Sequence, residues 1–196
     1  MEIIFVRHGE AMHQLDGGNG LCAHDPPLTD KGRRAAIRLS RLEPLGESDA
    51  LVAGPVLYLL QTADLWARGT GCSRFVHPLA GPRQHPFRYD FRTPPCQRPM
   101  ELERIAGRFP EFLLPAHLPE HLWLQGIHTL PGILFAQQAE RFLTWCRGLE
   151  KSRVFIVTAE STLQAYRAHV SASSSGGRAG AGRGNRLSRW TVPLPV

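Results

Sequence analysis

The sequence predicts an α/β domain of three layers, a mostly parallel central sheet with helices on both faces. Three observations predict it. Short runs of strand length alternate with longer stretches of helical periodicity, the order expected of βα units. The first run, Ile3-Ile4-Phe5-Val6, is apolar, β-branched and aromatic throughout, as in a strand covered on both sides. The chain has 196 residues, 42% hydrophobic and 20% charged, which suits one folded domain over 1–196 with a sizeable core.

Each element has its own warrant. The first strand stops at Arg7-His8-Gly9-Glu10, and a glycine-rich loop follows over 11–27, with Asp16-Gly17-Gly18-Asn19-Gly20 at its centre. Thr29 is a good N-cap for a helix reaching about Glu43, with Ala35, Ala36, Leu39 and Leu42 facing inward and Pro44 ending it. Leu51–Ala53 reads as a second strand, 54–68 as a helix, and Arg74–His77 as a third strand. Residues 78–100 carry six prolines and several arginines, and they open an irregular lid or insertion over 78–131. Within it, Met100–Phe109 reads as a short helix and Pro110–Thr129 as irregular, with His117, His121, Trp123 and His128 too unevenly spaced for a metal motif. Gly132–Leu149 is an amphipathic helix whose stripe is Phe135, Ala139, Phe142, Leu143 and Cys146. Val154–Val157 is another buried strand, and Thr158-Ala159-Glu160-Ser161-Thr162 leads into a helix. Residues 171–185 are rich in Ser, Gly, Ala and Arg and read as a flexible connector. Arg189–Pro193 suits an edge strand, where proline is tolerated.

The net charge of +6 and pI near 9.7 favour anionic partners. The arginines near the C-terminus lack interleaved aromatics, so a small anion is preferred to nucleic acid. Cys22, Cys72, Cys96 and Cys146 show no Cys-x-x-Cys spacing, so reduced thiols in a cytoplasmic protein are expected. No leader is expected before a strand that starts at residue 2, no apolar stretch is long enough to span a bilayer, and no internal repeat is present.

Chemistry concentrates where the first strand ends. Ligands of open α/β sheets bind at the carboxyl ends of strands. There the chain offers Arg7, a planar fork of donors suited to phosphate, and His8, a nucleophile or base. Gly9 lets backbone approach a ligand, and Glu10 adds a carboxylate. An Arg-His pair alone also suits an ordinary loop after a strand.

Arg7-His8-Gly9-Glu10, followed by Asp25-Pro26-Pro27-Leu28-Thr29-Asp30-Lys31-Gly32 and then Gln61-Thr62-Ala63, resembles the histidine phosphatase (phosphoglycerate mutase-like) superfamily. The resemblance runs from residue 2 to about residue 168. It implies the phosphoglycerate mutase-like fold, a phosphorylated small-molecule substrate, and no metal or organic cofactor. In that family the first histidine, here His8, takes the phosphoryl group. Two arginines and a second histidine hold its oxygens, and a carboxylic acid protonates the leaving group. Gln14 stands where the family has Asn. Tyr58 stands in place of the second arginine, and Ala159 in place of the second histidine. In a fungal-looking branch a Glu six residues before a Cys is the acid, and counting back from Cys96 gives Asp90.

The expected catalytic pair is thus His8 and Asp90. Arg7, Glu10, Gln14, Tyr58, Ala159 and Glu160 form the expected substrate-binding set. Arg83, Arg88 and Arg92 are candidates to restore the missing charge. Three functions follow: a phosphatase with an incomplete catalytic set, an acid/base enzyme (lyase, isomerase or cyclase) on an organic substrate using Tyr58 and Asp90, and a non-catalytic pseudophosphatase.

Overall fold

The computed structural model describes residues 1–15, 23–88, 92–173 and 189–192. Its strands are β1 (Glu2–Arg7), β2 (Asp49–Ala53), β3 (Ser73–Val76), β4 (Arg153–Thr158) and β5 (Arg189–Thr191). They form one sheet in the order β3-β2-β4-β1-β5. The first four are parallel, and β5 lies antiparallel on the edge of β1, with Phe5 opposite Trp190. The helices are α1 (Asp30–Leu42), α2 (Leu57–Ala67), α3 (Leu102–Arg108), α4 (Glu120–Gln125), α5 (Gly132–Arg147) and α6 (Glu160–Ser173).

The period of two along each strand divides the core. Ile4, Val6, Leu51, Ala53, Phe155 and Val157 face one side, against Ala36 of α1, Ile105 of α3 and most of α2. Ile3, Phe5, Ala50, Val52, Val154 and Ile156 face the other, against α5, α6 and Leu122 of α4. The three-layer α/β architecture is therefore as expected, and all five stripe residues of α5 are buried. Among the described residues no helix is long and apolar enough to cross a membrane. Cys72 and Cys146 are free and buried, and Cys96 is buried.

Three expectations need revision. Leu42 is exposed, because α1 buries Gly32 and Ala36 and turns its last residues outward. The stretch 110–129 is not wholly irregular. It holds α4, which buries Leu122 and ends at Gly126 with a positive φ of 66°. The expected lid does not begin at residue 78. Pro78–Ala80 form a buried 3₁₀ turn, and Ala80 O and Gly81 O accept the hydroxyls of Thr158 (2.7 Å) and Thr162 (3.0 Å). His128 is a loop residue as expected, on the turn between α4 and α5, and it is buried. The connector 171–185 lies largely outside the described residues.

Candidate active site

The carboxyl ends of β1 and β4 open into a hollow of about 400 Å3. Its walls come from the β1 loop, the start of α2, the start of α6 and the loop around His85 and Gln97.

The loop after β1 is fixed by backbone contacts. His8 N donates to Thr158 O (3.1 Å), extending the pairing one residue past the strand. Gly9 N donates to Thr62 Oγ1 (3.2 Å), and that hydroxyl donates to Tyr58 O (2.7 Å). Thr29 caps α1 by accepting from Gly32 N (3.0 Å), as its sequence position predicts. Gly9 and Gly32 lie back to back. A Cβ on Gly9 would stand 2.5 Å from Gly32 O, and one on Gly32 2.0 Å from Glu10 O. Only glycine fits either position, because the two backbones touch. Gln61 Oε1 accepts from Leu28 N (2.8 Å), which ties α2 to the segment before α1.

His8 presents a defined tautomer. Its Nδ1 lies 2.6 Å from Gly9 O. A carbonyl can only accept, so Nδ1 carries the proton and Nε2 keeps its lone pair. Burial pushes the His8 pKa down to about 3, with smaller contributions from Arg7 and His13 in the same direction. The ring is thus uncharged at neutral pH. Arg7, half-buried, lines the hollow beside it.

The opposite wall is less cationic. Tyr58 is fully buried, with its ring 4.5 Å from that of His8 and 4.8 Å from that of His13. Its hydroxyl has no partner among the described residues, and burial raises its pKa well above the usual phenol value. Ala159 precedes α6, its carbonyl accepting from Leu163 N (3.0 Å), and contributes only a methyl group. Glu160 Oε1 accepts from Gln164 (2.7 Å), while the buried Oε2 has no partner among the described residues. Orphaned buried polar atoms are rare in folded proteins and call for a ligand, water or function.

Arg7, His8, Gln14, Tyr58, Ala159 and Glu160 thus line one hollow. Glu10 does not. Its carboxylate accepts from Thr29 Oγ1 (2.9 Å) and pairs with Lys31 Nζ (2.8 Å), and the Lys31 and Thr29 hydrogen bonds hold its pKa below the usual range. It braces the start of α1. Asp90, the expected acid, and Asp16 of the glycine-rich loop lie outside the described residues. None of Arg83, Arg88 and Arg92 lines the hollow. Arg83 turns inward instead, donating to Ile127 O (3.2 Å) and Leu130 O (2.6 Å) with its guanidinium 4.0 Å above Phe135. It pegs the 127–130 loop to α5 and is no substitute for a phosphate clamp.

The sequence reading missed His13, His85 and Gln97, all on the lining. His13 sits on the 3₁₀ turn Met12–Gln14, held by Met12 N to Pro27 O (2.9 Å) and by Ala11 N to Gln14 Oε1 (3.0 Å). Its only sequence signal is an imidazole five residues after His8. Among the described residues no group of three or more His, Cys, Asp or Glu is arranged to hold a metal ion.

Residues 3–79 match the histidine phosphatase superfamily (branch 1). The fold is that superfamily's. No curated protein sequence matches the chain significantly. Solved structures do. Ecdysone phosphate phosphatase from Bombyx mori, in complex with tungstate, is 11% identical with a TM-score of 0.61, covering 97% of this chain and 88% of its own. The α-ribazole phosphatase of Shigella flexneri is 18% identical with a TM-score of 0.51, covering 87% and 79%. A phosphoserine phosphatase mutant from Entamoeba histolytica, in complex with phosphoserine, is 16% identical with a TM-score of 0.50, covering 86% and 79%. At these identities the likeness is one of histidine phosphatase architecture.

Proposed function

We propose that this protein is a phosphatase acting on a phosphorylated small molecule in the cytoplasm, with His8 as nucleophile. One observation carries the reading. His8 offers Nε2 unprotonated, its Nδ1–H committed to Gly9 O, beside the Arg7 guanidinium at the mouth of a strand-end hollow. Phosphoryl transfer relies on positioning and electrostatics, which is what such a site supplies.

In the first step Nε2 attacks phosphorus as the bond to the leaving oxygen breaks. Arg7 balances charge on the phosphoryl oxygens. A carboxylic acid, assigned to Asp90, gives its proton to the leaving oxygen. In the second step water attacks phosphorus, the N–P bond breaks, and the carboxylate recovers a proton from the water. Gln14 and Tyr58 are substrate-binding groups from the loop and α2. Ala159 supplies no donor at the position where a complete site has its second histidine, so α6 gives no help to the phosphoryl oxygens. The phosphatase identities of the structural neighbours support the same reaction class.

Incubation with p-nitrophenyl phosphate, followed by an acid quench, tests this. An acid-labile phosphoryl group on His8, absent in His8→Ala together with phosphate release, is the expected result. A folded wild type that releases phosphate without labelling His8, or releases none, would overturn it.

A second reading has its own support. The unpartnered Tyr58 hydroxyl and Glu160 Oε2 share the hollow with a single guanidinium among the described residues. That set suits proton transfer on an organic anion. Turnover of a non-phosphorylated ligand that depends on Tyr58 and Glu160, with no His8 labelling, would favour it.

A further inference from the structure

The two imidazoles of the hollow lie on the same short segment, and only one has a role so far. His13 is about nine-tenths buried, lines the hollow, and has an Nδ1 without a partner among the described residues. Its ring centroid is 6.5 Å from that of His8 and 4.8 Å from that of Tyr58. The backbone bonds of Met12 and Ala11 hold the turn that carries it, so the ring is placed by the loop rather than swinging from a flexible arm. Burying an imidazole without a hydrogen-bond partner is unfavourable. The packing alone gives no return for it, since an apolar ring would fill the same space without a desolvated nitrogen.

We infer that His13 is a catalytic residue, the hydrogen-bond donor that holds a phosphoryl oxygen in the transition state in the absence of any such group at Ala159. The inference rests on the phosphatase reading and deepens it. The two ring centroids stand 6.5 Å apart on the lining of one hollow, a separation that a phosphoryl group carried on His8 Nε2 would bridge with one of its oxygens toward His13. A neutral imidazole has one N–H and one lone pair. The N–H donates to that oxygen, and no proton is transferred, so the two covalent steps remain as written above. Burial also lowers the His13 pKa, which keeps the ring a neutral donor and avoids a second cation beside Arg7. The tilted Tyr58 ring supports the His13 face and limits its rotation.

The full chain carrying His13→Ala, His13→Asn and the pair His13→Ala with Ala159→His tests this. Each is assayed with p-nitrophenyl phosphate, alongside His8 labelling and thermal melting. Loss of one such donor is expected to lower kcat by about a hundredfold, with KM changed less and melting close to wild type. His13→Asn, which retains an N–H donor, should recover part of the rate. Ala159→His should rescue the His13→Ala background more than it helps the wild type, because both imidazoles serve one oxygen. An active wild type with His13→Ala within threefold of it overturns the inference and leaves the phosphatase reading intact. Equal gains from Ala159→His in both backgrounds overturn it as well. A folded wild type without His8 labelling removes both. If His13→Ala fails to fold, the Asn variant decides: a soluble Asn variant slowed tenfold or less, with wild-type KM, supports the donor role, and one slowed a thousandfold overturns it.

Discussion

The two ends of the sheet treat buried polar groups in opposite ways. At the amino ends of the strands, Arg153 donates to both carboxylate oxygens of Asp49 (2.9 and 2.7 Å), to Glu43 (2.8 Å) and to Pro44 O (3.1 Å), and Asp49 also accepts from Gly46 N (2.9 Å). At the carboxyl ends, the Tyr58 hydroxyl, His13 Nδ1 and Glu160 Oε2 have no partner among the described residues. A satisfied network holds a fold together, whereas a half-satisfied one is costly unless something else completes it. The comparison assigns stability to one end and ligand chemistry to the other.

The sharpest way to break that division is to complete the unsatisfied end. Ala159→His should raise phosphate release by about a hundredfold in the His13→Ala background, the value of one well-placed donor, and by less in the wild type, with little change in melting. Steady-state rates with p-nitrophenyl phosphate measure it, and an unchanged rate in the His13→Ala background would mean the hollow does not hold a phosphoryl group there. At the satisfied end, Asp49→Ala should cost about 2–3 kcal/mol, since it strips charged hydrogen bonds from Arg153 and frees Gly46 N. Urea unfolding reads the loss, and KM should stay as in the wild type.

Acid distinguishes the ends in a different way. Burial pushes His8 and His77 down to about 3 and His128 to about 4. An unfolded chain protonates these rings near 6.5. Between 6.5 and each folded value the unfolded state therefore binds more protons, and stability is lost as pH falls. Each ring contributes about 1.4 kcal/mol per pH unit across that window and nothing above it. His77→Asn keeps an acceptor for Leu79 N and removes one titrating ring, so unfolding measured from pH 7 to 4 should show a slope shallower by that amount. The smallest effect is expected from Tyr58→Phe. Removing an orphaned hydroxyl should stabilise the protein by about 1 kcal/mol, while slowing turnover if the phenol touches substrate. A destabilised Phe variant would show that the hydroxyl has a hidden structural partner.

Much of this was legible in the sequence where a signal is local. The apolar runs of β1 and β4 and the stripe of α5 have periods that a linear reading detects. Thr29 announces the start of α1 because an N-cap acts within four residues. The six-residue α4 gives too short a period to register amid Pro and Gly. Leu42 fits the inward pattern because a periodic pattern does not say where a helix outruns the neighbour it packs on, here α2. Arg7 and His8 were legible as a pair at the end of one strand, while Gln14, Tyr58 and the adjacent Ala159 and Glu160 reached the site only through family resemblance. Glu10 was misplaced because adjacency in sequence says nothing about which side of a loop a side chain leaves. His13 was missed because its significance is its burial beside Tyr58, a fact of tertiary packing.

The mutual contact of Gly9 and Gly32 has a practical corollary. Neither glycine can acquire a side chain while the other stays in place, so the reactive loop and the opening turn of α1 are in effect one part. Transplanting the His8 loop into another scaffold, or importing a relative's loop here, succeeds only if residues 7–32 travel together with their spacing kept.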